Sequence, residues 1–561
     1  MKSLRLACAL SLISFVVIAC SSGGSEEPSP EFLMVVQTSP RDDAKQSATE
    51  TRIGFQVDGE IDPDTLTSDA FFVTDQNGTR LQGERVILQD DPTAAEIVLD
   101  APLDVITTYT ATITTRLQSL GGRSLEENYE WTFETLDSAW GVSEWIEEDV
   151  FGTSAAQQAA VDGQSNAIAV WEHGPDQVTA IWANRYTKVG LWGEPVAIDD
   201  GNGGAAAPQI ALDKAGNGIA VWERSEDGGF TANIWTNRYD VATETWGTPE
   251  LLQSGDITNA EEPQVAMADS GGGIAAWVQL DDETSGRVVW ARAHSVASGW
   301  GTAQLISEPT PATRILGELL LDCDSAGNAI AVWSRPTVDG DVIWANRYTA
   351  ASGWGEALLI KDDGATSARR LKLSVGPGGD SIAVWIQDNG TRDDIWAARF
   401  SDSAWGQPER IDRYDADDKN DPDVAVDGSG VAHAVWSQTD PDFANIWSSQ
   451  YTRGSGWGAP ELIEPPNDDP RDDADAVTPS VGINSLGNAF VVWLQRSEGW
   501  ASVWSNRLDP GGPWLGAELI EEITDPARAP LVVVDEERRA HAVWLHVVDD
   551  GFDWVRTNRF E

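Results

Sequence analysis

The sequence predicts an all-β protein in two parts: a β-sandwich over residues 32–136, then an eight-bladed β-propeller over 139–561, closed by its own N-terminal strand. Three observations predict this. Short runs alternate apolar and polar residues, the two-residue period of a half-buried strand. Three tryptophan columns recur every 51 to 57 residues, a period near that of propeller repeats. The two ends of the repeat region each carry only part of a repeat.

The elements follow in chain order. MKSLRL is a short positive segment, ACALSLISFVVIA is apolar but short for a membrane span, and Cys20 follows. The string Val17-Ile18-Ala19-Cys20 resembles a bacterial lipobox. The resemblance implies a signal peptide over 1–19, a diacylglycerol thioether on Cys20 and, with Ser21 next, outer-membrane sorting. Residues 20–31 read as a polar tether. Cys8 leaves with the signal, so Cys323 is the one thiol left for the folded part and no intramolecular disulfide is expected. The expected location is the bacterial cell envelope, on the outer membrane and facing either side of it.

From Phe32 to Leu136 about seven short strands are separated by turn signals such as DQNG. The strings TSPRDDA, IDPDTLTSDAFFVTDQNG, APLDVITTYTATIT and YEWTFET stand in the order of the SbsA-type bacterial Ig-like domain, which this segment resembles. That family implies a spacer or adhesion role.

Each later repeat reads as four strands. QIALD ends at a D-x-x-G-N turn; GIAVWER, NIWTNRYD and WGTPELL follow. The last repeat stops after its third strand, at VRTNRFE. Residues 139–149, AWGVSEWIEED, are a fourth strand without the preceding three. Pairing the two closes a ring and leaves no exposed edge.

Bulk charge narrows the function. There are 91 Asp+Glu against 37 Lys+Arg, a formal net charge of −54. Such a field repels nucleic acid and favours cations and basic partners. A column filled in every repeat meets a demand made by every repeat, so the tryptophans read mainly as packing groups. Hairpins ending in G-W resemble fungal fucose-binding propellers, in which Trp, Arg and Glu of neighbouring repeats clasp a sugar. On that pattern Trp344, Trp354 and Arg347 are ligand-binding candidates. Unusual polar residues in the first strands, Glu318, Asp322, Lys372 and Asp423, mark a central-channel candidate. Acidic loops at 412–423 and 467–476 offer Asp415, Asp417, Asp418, Asp472 and Asp473 as calcium ligands. The S-x-D-x-G-x-T-W order of sialidase Asp boxes is absent, and no Ser-His-Asp, Cys-His or phosphate-loop motif occurs. The expectation is a monomeric, lipid-anchored, non-enzymatic platform for a glycan or protein partner. A lectin-type propeller and a sialidase-like glycoside hydrolase are the alternatives.

Overall fold

A computed structural model describes residues 32–560 except 42–43, 48–52, 77, 89–90, 100–102, 104–106, 136–138, 148–151, 176–178, 189–190, 202, 226–230, 254–258, 282–285, 309–316, 338–339, 362–366, 389, 413–418, 440–442, 465–474, 498–499, 522–525 and 549–551. Cys20 and the segments expected to be a signal peptide and a tether lie outside the described residues, as do Asp415, Asp417, Asp418, Asp472 and Asp473. The chain divides into two compact units, Met1–Ala139 and Trp140–Glu561.

The first unit holds two four-stranded sheets. One runs Val35–Ser39, Ile53–Val57, Asp91–Leu99, Gly83–Leu88; the other runs Ala44–Ser47, Tyr129–Thr135, Thr108–Ile113, Phe71–Thr74. Alternation does the work: Ile53, Phe55 and Val57 enter one core with Phe71, Tyr109, Trp131 and Phe133. Phe55 meets Phe71 edge-on at 4.9 Å. Among the described residues there are eight strands rather than about seven, because Ala44–Ser47 pairs separately, and in parallel, with Tyr129–Thr135.

The second unit holds eight sheets, one per repeat. In repeat 2, Gly204–Leu212, Gly218–Ser225 and Ala232–Asp240 pair in antiparallel order. The fourth strand is not continuous as the sequence suggests. It pairs with the third in two short pieces, Thr245–Trp246 and Glu250–Leu251, each followed by one more amide bond to it, from Gly247 to Arg238 and from Leu252 to Ile234. Between these contacts stands Gly247-Thr248-Pro249, where the proline has no N–H to give the ladder. In repeat 8, Asp553–Phe560 pairs with Glu144–Trp145. The first strand of each repeat touches that of the next, and Ala527–Val534 touches Thr153–Val161.

The repeated wording has a physical reason at each position. The tryptophans of the second strands, Trp171 through Trp544, are all 2% exposed or less. Each buries roughly 200 Å² of ring, about 5 kcal/mol of gross transfer energy. The D-x-x-G-N turn is an Asx turn: Asp213 accepts from the Ala215 and Asn217 amides and from Asn217 Nδ2, at 2.8–2.9 Å. Gly216 turns there with φ +96, where a side chain would also meet Asp162. The NRY string joins neighbours. Asn346 Nδ2 donates to the Ile306 carbonyl of the preceding repeat. Arg347 lies 5.5 Å from the Phe400 ring centroid of the next.

The same Arg-on-ring joint recurs as Arg185 on Tyr239, Arg399 on Tyr451, Arg507 on Phe560 and Arg559 on Tyr186. The last of these links repeat 8 to repeat 1, and Arg559 Nη1 also donates to Tyr186 Oη at 2.7 Å.

Candidate functional site

Every first strand except that of repeat 4 contains a register shift near its start. At these bulges Ala156, Ala207, Glu262, Arg370, Asp421, Thr478 and Ala529 all have φ between 47 and 54. Side chains with a Cβ resist that conformation, so each bulge stores strain on the order of 1 kcal/mol. A bulge re-aims side chains beside a site. Here successive repeats each contribute the bulge residue and the one two places on.

The result is a cavity of about 560 Å³ lined mainly by the first strands of six repeats and the residues that lead into them. Glu318 (repeat 4), Arg370 and Lys372 (repeat 5), and Asp421 and Asp423 (repeat 6) form a charged wall. Facing residues from repeats 7, 8 and 1 are uncharged: Thr478, Pro479, Ser480, Ala529, Pro530, Leu531, Gln157 and Gln158. Regular repeats therefore build an asymmetric mouth.

The charged wall is largely fixed by bonds between repeats. Glu318 Oε2 accepts from the Leu371 amide, and Asp423 Oδ2 from the Val481 amide at 2.9 Å. Arg370 pairs with Asp421 at 2.7 Å. Lys372 is exposed and makes no ion pair among the described residues. It is the cation of this wall left for a ligand.

The acidic row continues into the preceding repeats. Glu172 accepts from the Ala207 amide, Glu223 from Glu262, and Glu262 from Leu319. Burial raises the Glu262 carboxyl to about 7, and Glu223 and Glu318 add to the rise. Glu172 and Glu223 are shifted upward by burial too.

The sequence candidates thus separate. Glu318, Lys372 and Asp423 share the cavity. Asp322 does not line it; its carboxylate accepts from the Cys323 and Val375 amides, and burial raises its pKa to about 6. Trp344, Trp354 and Arg347 lie in the joints between repeats. Trp344 is half-buried opposite Trp333, Trp354 meets Tyr348 at 5.5 Å, and Arg347 covers Phe400. Arg370, Asp421, Gln157 and Thr478 were not foreseen. Asp421 and Thr478 carried a signal, the residue before the recurrent proline of the first strands, as in Ala207-Pro208 and Glu262-Pro263; Arg370 and Gln157, followed by Leu371 and Gln158, carried none.

Two other constellations serve the fold. Ser154 donates to Glu147 at 2.8 Å and lies 2.9 Å from His173 Nδ1, a serine–histidine–carboxylate group. All three are sealed, and Glu147 also accepts from the Val555 amide. It belongs to a column at the end of the fourth strands, where Glu521 accepts from the Val503 amide at 3.1 Å and meets His546 at 2.7 Å. His433 and His541 lie buried in second strands, and burial lowers their pKa to about 4 and about 3. No three His, Cys, Asp or Glu side chains form a metal cluster among the described residues.

Comparison with known proteins bears on both units. Residues 31–135 match the bacterial Ig-like domain family Big_5. No curated protein matches the chain. Among solved structures, the chain is similar to the Dos1 propeller at 9% identity and TM-score 0.43, over 76% of this chain and 95% of that one. It is similar to the polysaccharide lyase Uly1 at 11% identity and TM-score 0.39, over 65% and 92%. It is also similar to an α-L-arabinanase of Penicillium chrysogenum at 11% identity and TM-score 0.35, over 63% and 92%. These likenesses concern the all-β propeller-like fold alone. The expectation of a non-enzyme is withdrawn, because these similar structures include a polysaccharide lyase and an arabinanase, both enzymes.

Proposed function

We propose that this chain is a cell-envelope protein, anchored through Cys20, whose eight repeats form a closed eight-bladed propeller that binds a saccharide in the cavity at the bulge end of its first strands. One observation carries the reading: three residues singled out from sequence, Glu318, Lys372 and Asp423, line one cavity whose charges are confined to one side. A saccharide needs donors and acceptors along one edge and an apolar surface for its ring faces. Lys372, Gln158 and Ser480 supply donors, and the outer oxygens of Glu318 and Asp423 supply acceptors. Pro479, Pro530 and Leu531 supply the apolar side. The ammonium of Lys372, which makes no ion pair among the described residues, is free to donate to a sugar oxygen at that end.

The test is glycan-array binding by the full chain in detergent, repeated with Lys372→Ala and Asp423→Asn. Binding by the native chain that falls at least tenfold in Lys372→Ala supports the site. Binding that both variants retain in full contradicts it. Assay of the bound glycan for new reducing or unsaturated ends tells turnover from binding. Mass spectrometry that finds no acyl group on Cys20 removes the anchor.

A further inference from the structure

One buried carboxylate stands apart from its equivalents. The residue after the buried apolar side chain of each fourth strand forms a column, and five of its members are acids: Glu147, Asp199, Asp412, Glu464 and Glu521. Four of them are engaged. Glu147 accepts from Ser154 and the Val555 amide, Asp199 from the Ile181 and Gly201 amides, and Glu521 from the Val503 amide beside His546. Asp412 meets Lys419 Nζ at 3.0 Å, with both side chains wholly buried. Glu464 is 7% exposed, and neither of its oxygens meets hydrogen-bond geometry with a described group. A buried carboxylate in that condition calls for a counter-charge or an ion.

The joint between repeats 5 and 6 shows a counter-charge built into the chain. Lys419 starts the first strand of repeat 6, opposite Gln438, and its ammonium reaches back to Asp412 and to Asp394, 3.6 Å away. At the joint between repeats 6 and 7 the same register position, opposite Gln495, is Ala476. Ala476 is buried in one apolar cluster with Ile446, Ile463 and Trp493, so it faces the strand end that carries Glu464. Asn445 stands where Asp394 stands in the preceding repeat. Gln495 stands where His546 meets Glu521 in the next, and its oxygen accepts from the Trp493 indole at 3.0 Å. The lysine chain beyond Cβ is therefore absent beside the one acid of the column that has no partner.

No neighbouring charge acts on Glu464. Burial raises its pKa to about 8, and only the Ile446 amide draws it back. The charged side chains on and beside the strands around it, Glu461, Asp475 and Arg496, are exposed, and Asp475 accepts from the Ala444 amide.

We propose that the joint between repeats 6 and 7 binds a monovalent cation, potassium or ammonium, on the Glu464 carboxylate, in the place that Lys419 Nζ takes at the preceding joint. One carboxylate beside uncharged amide side chains suits a single positive charge. A calcium ion asks for about six to eight oxygens, several of them from carboxylates.

Thermal unfolding of the full chain in detergent tests this at pH 8.5, where Glu464 is mostly ionised. At constant ionic strength, replacing choline by potassium or ammonium should raise the midpoint saturably, by on the order of 1–2 °C. At pH 5, where Glu464 is protonated, the exchange should have no effect. Glu464→Gln should keep the higher midpoint in choline and respond to neither ion. Ala476→Lys, which supplies the cation from within the chain, should lose the response too. Equal midpoints in choline and in both ions for the native chain overturn the proposal. So does an unchanged response in Glu464→Gln, or a larger response to calcium at the same ionic strength. The potassium and ammonium curves distinguish the two ions by their half-saturating concentrations, and a saturable response to either supports the site.

Discussion

The two ends of the first strands differ sharply. At the turn end, Asp162, Asp213, Asp324, Asp427 and Asp535 repeat with the same hydrogen bonds each time. At the bulge end the backbone repeats but the side chains do not: Ala156, Glu262, Glu318, Arg370, Asp421 and Thr478 occupy one column. Five of the eight repeats keep that turn Asp, with Ala268, Gly376 and Asn484 in the other three, whereas a demand made once gives a residue that diverges throughout. The turn end therefore reads as architecture and the bulge end as specificity.

The comparison can be broken where it is strongest. Trp436→Ala removes a constant, fully buried ring and should cost about 3–5 kcal/mol in denaturant unfolding. A loss below ~1 kcal/mol would deny the column its packing role.

Protonation gives the next largest effect. Burial raises Glu464 to about 8 from 4.5. Its contribution is therefore full below pH 4.5 and is lost as pH rises through 8. Glu464→Gln should recover on the order of a few kcal/mol at pH 8.5 and little at pH 5. His433, lowered to about 4, acts in the opposite sense. Its contribution is present above pH 6.5 and is lost as pH falls through 4. His433→Ile, the residue of most repeats, should flatten the acid limb of a stability–pH curve measured by thermal unfolding.

Smaller changes sharpen the contrast between the two ends. Asp324→Ala orphans the Ala326 and Asn328 amides and should cost about 1–3 kcal/mol without altering saccharide affinity. Arg347→Ala loses a cation–ring joint worth about 0.5–2 kcal/mol. Lys372→Ala, at the bulge end, should leave stability within ~0.5 kcal/mol and remove binding.

Much of the fold was readable because it is repeated. Trp171, Trp222 and their equivalents fix the second strands, the D-x-x-G-N strings fix the turns, and AWGVSEW carries the strand that pairs with the chain's end. In the sequence Arg347 stands as a ligand-binding candidate. The structure places Arg347, Arg399 and Arg507 mainly on rings of the next repeat, a contact that no spacing within one repeat encodes. Of the candidate site, Glu318, Lys372 and Asp423 were visible as polar residues in apolar strands. Arg370 and Asp421 were not, because the bulge adds a residue and shifts the alternation by one.

The most direct test of the central claim is a structure of the full chain by electron cryo-microscopy with a glycan identified on the array. The account predicts saccharide density between Lys372, Glu318 and Asp423 on one side and Ser480 and Pro530 on the other. Density confined to the tryptophan-lined joints around Trp344, Trp354 and Arg347, with the bulge-end cavity empty, would contradict it.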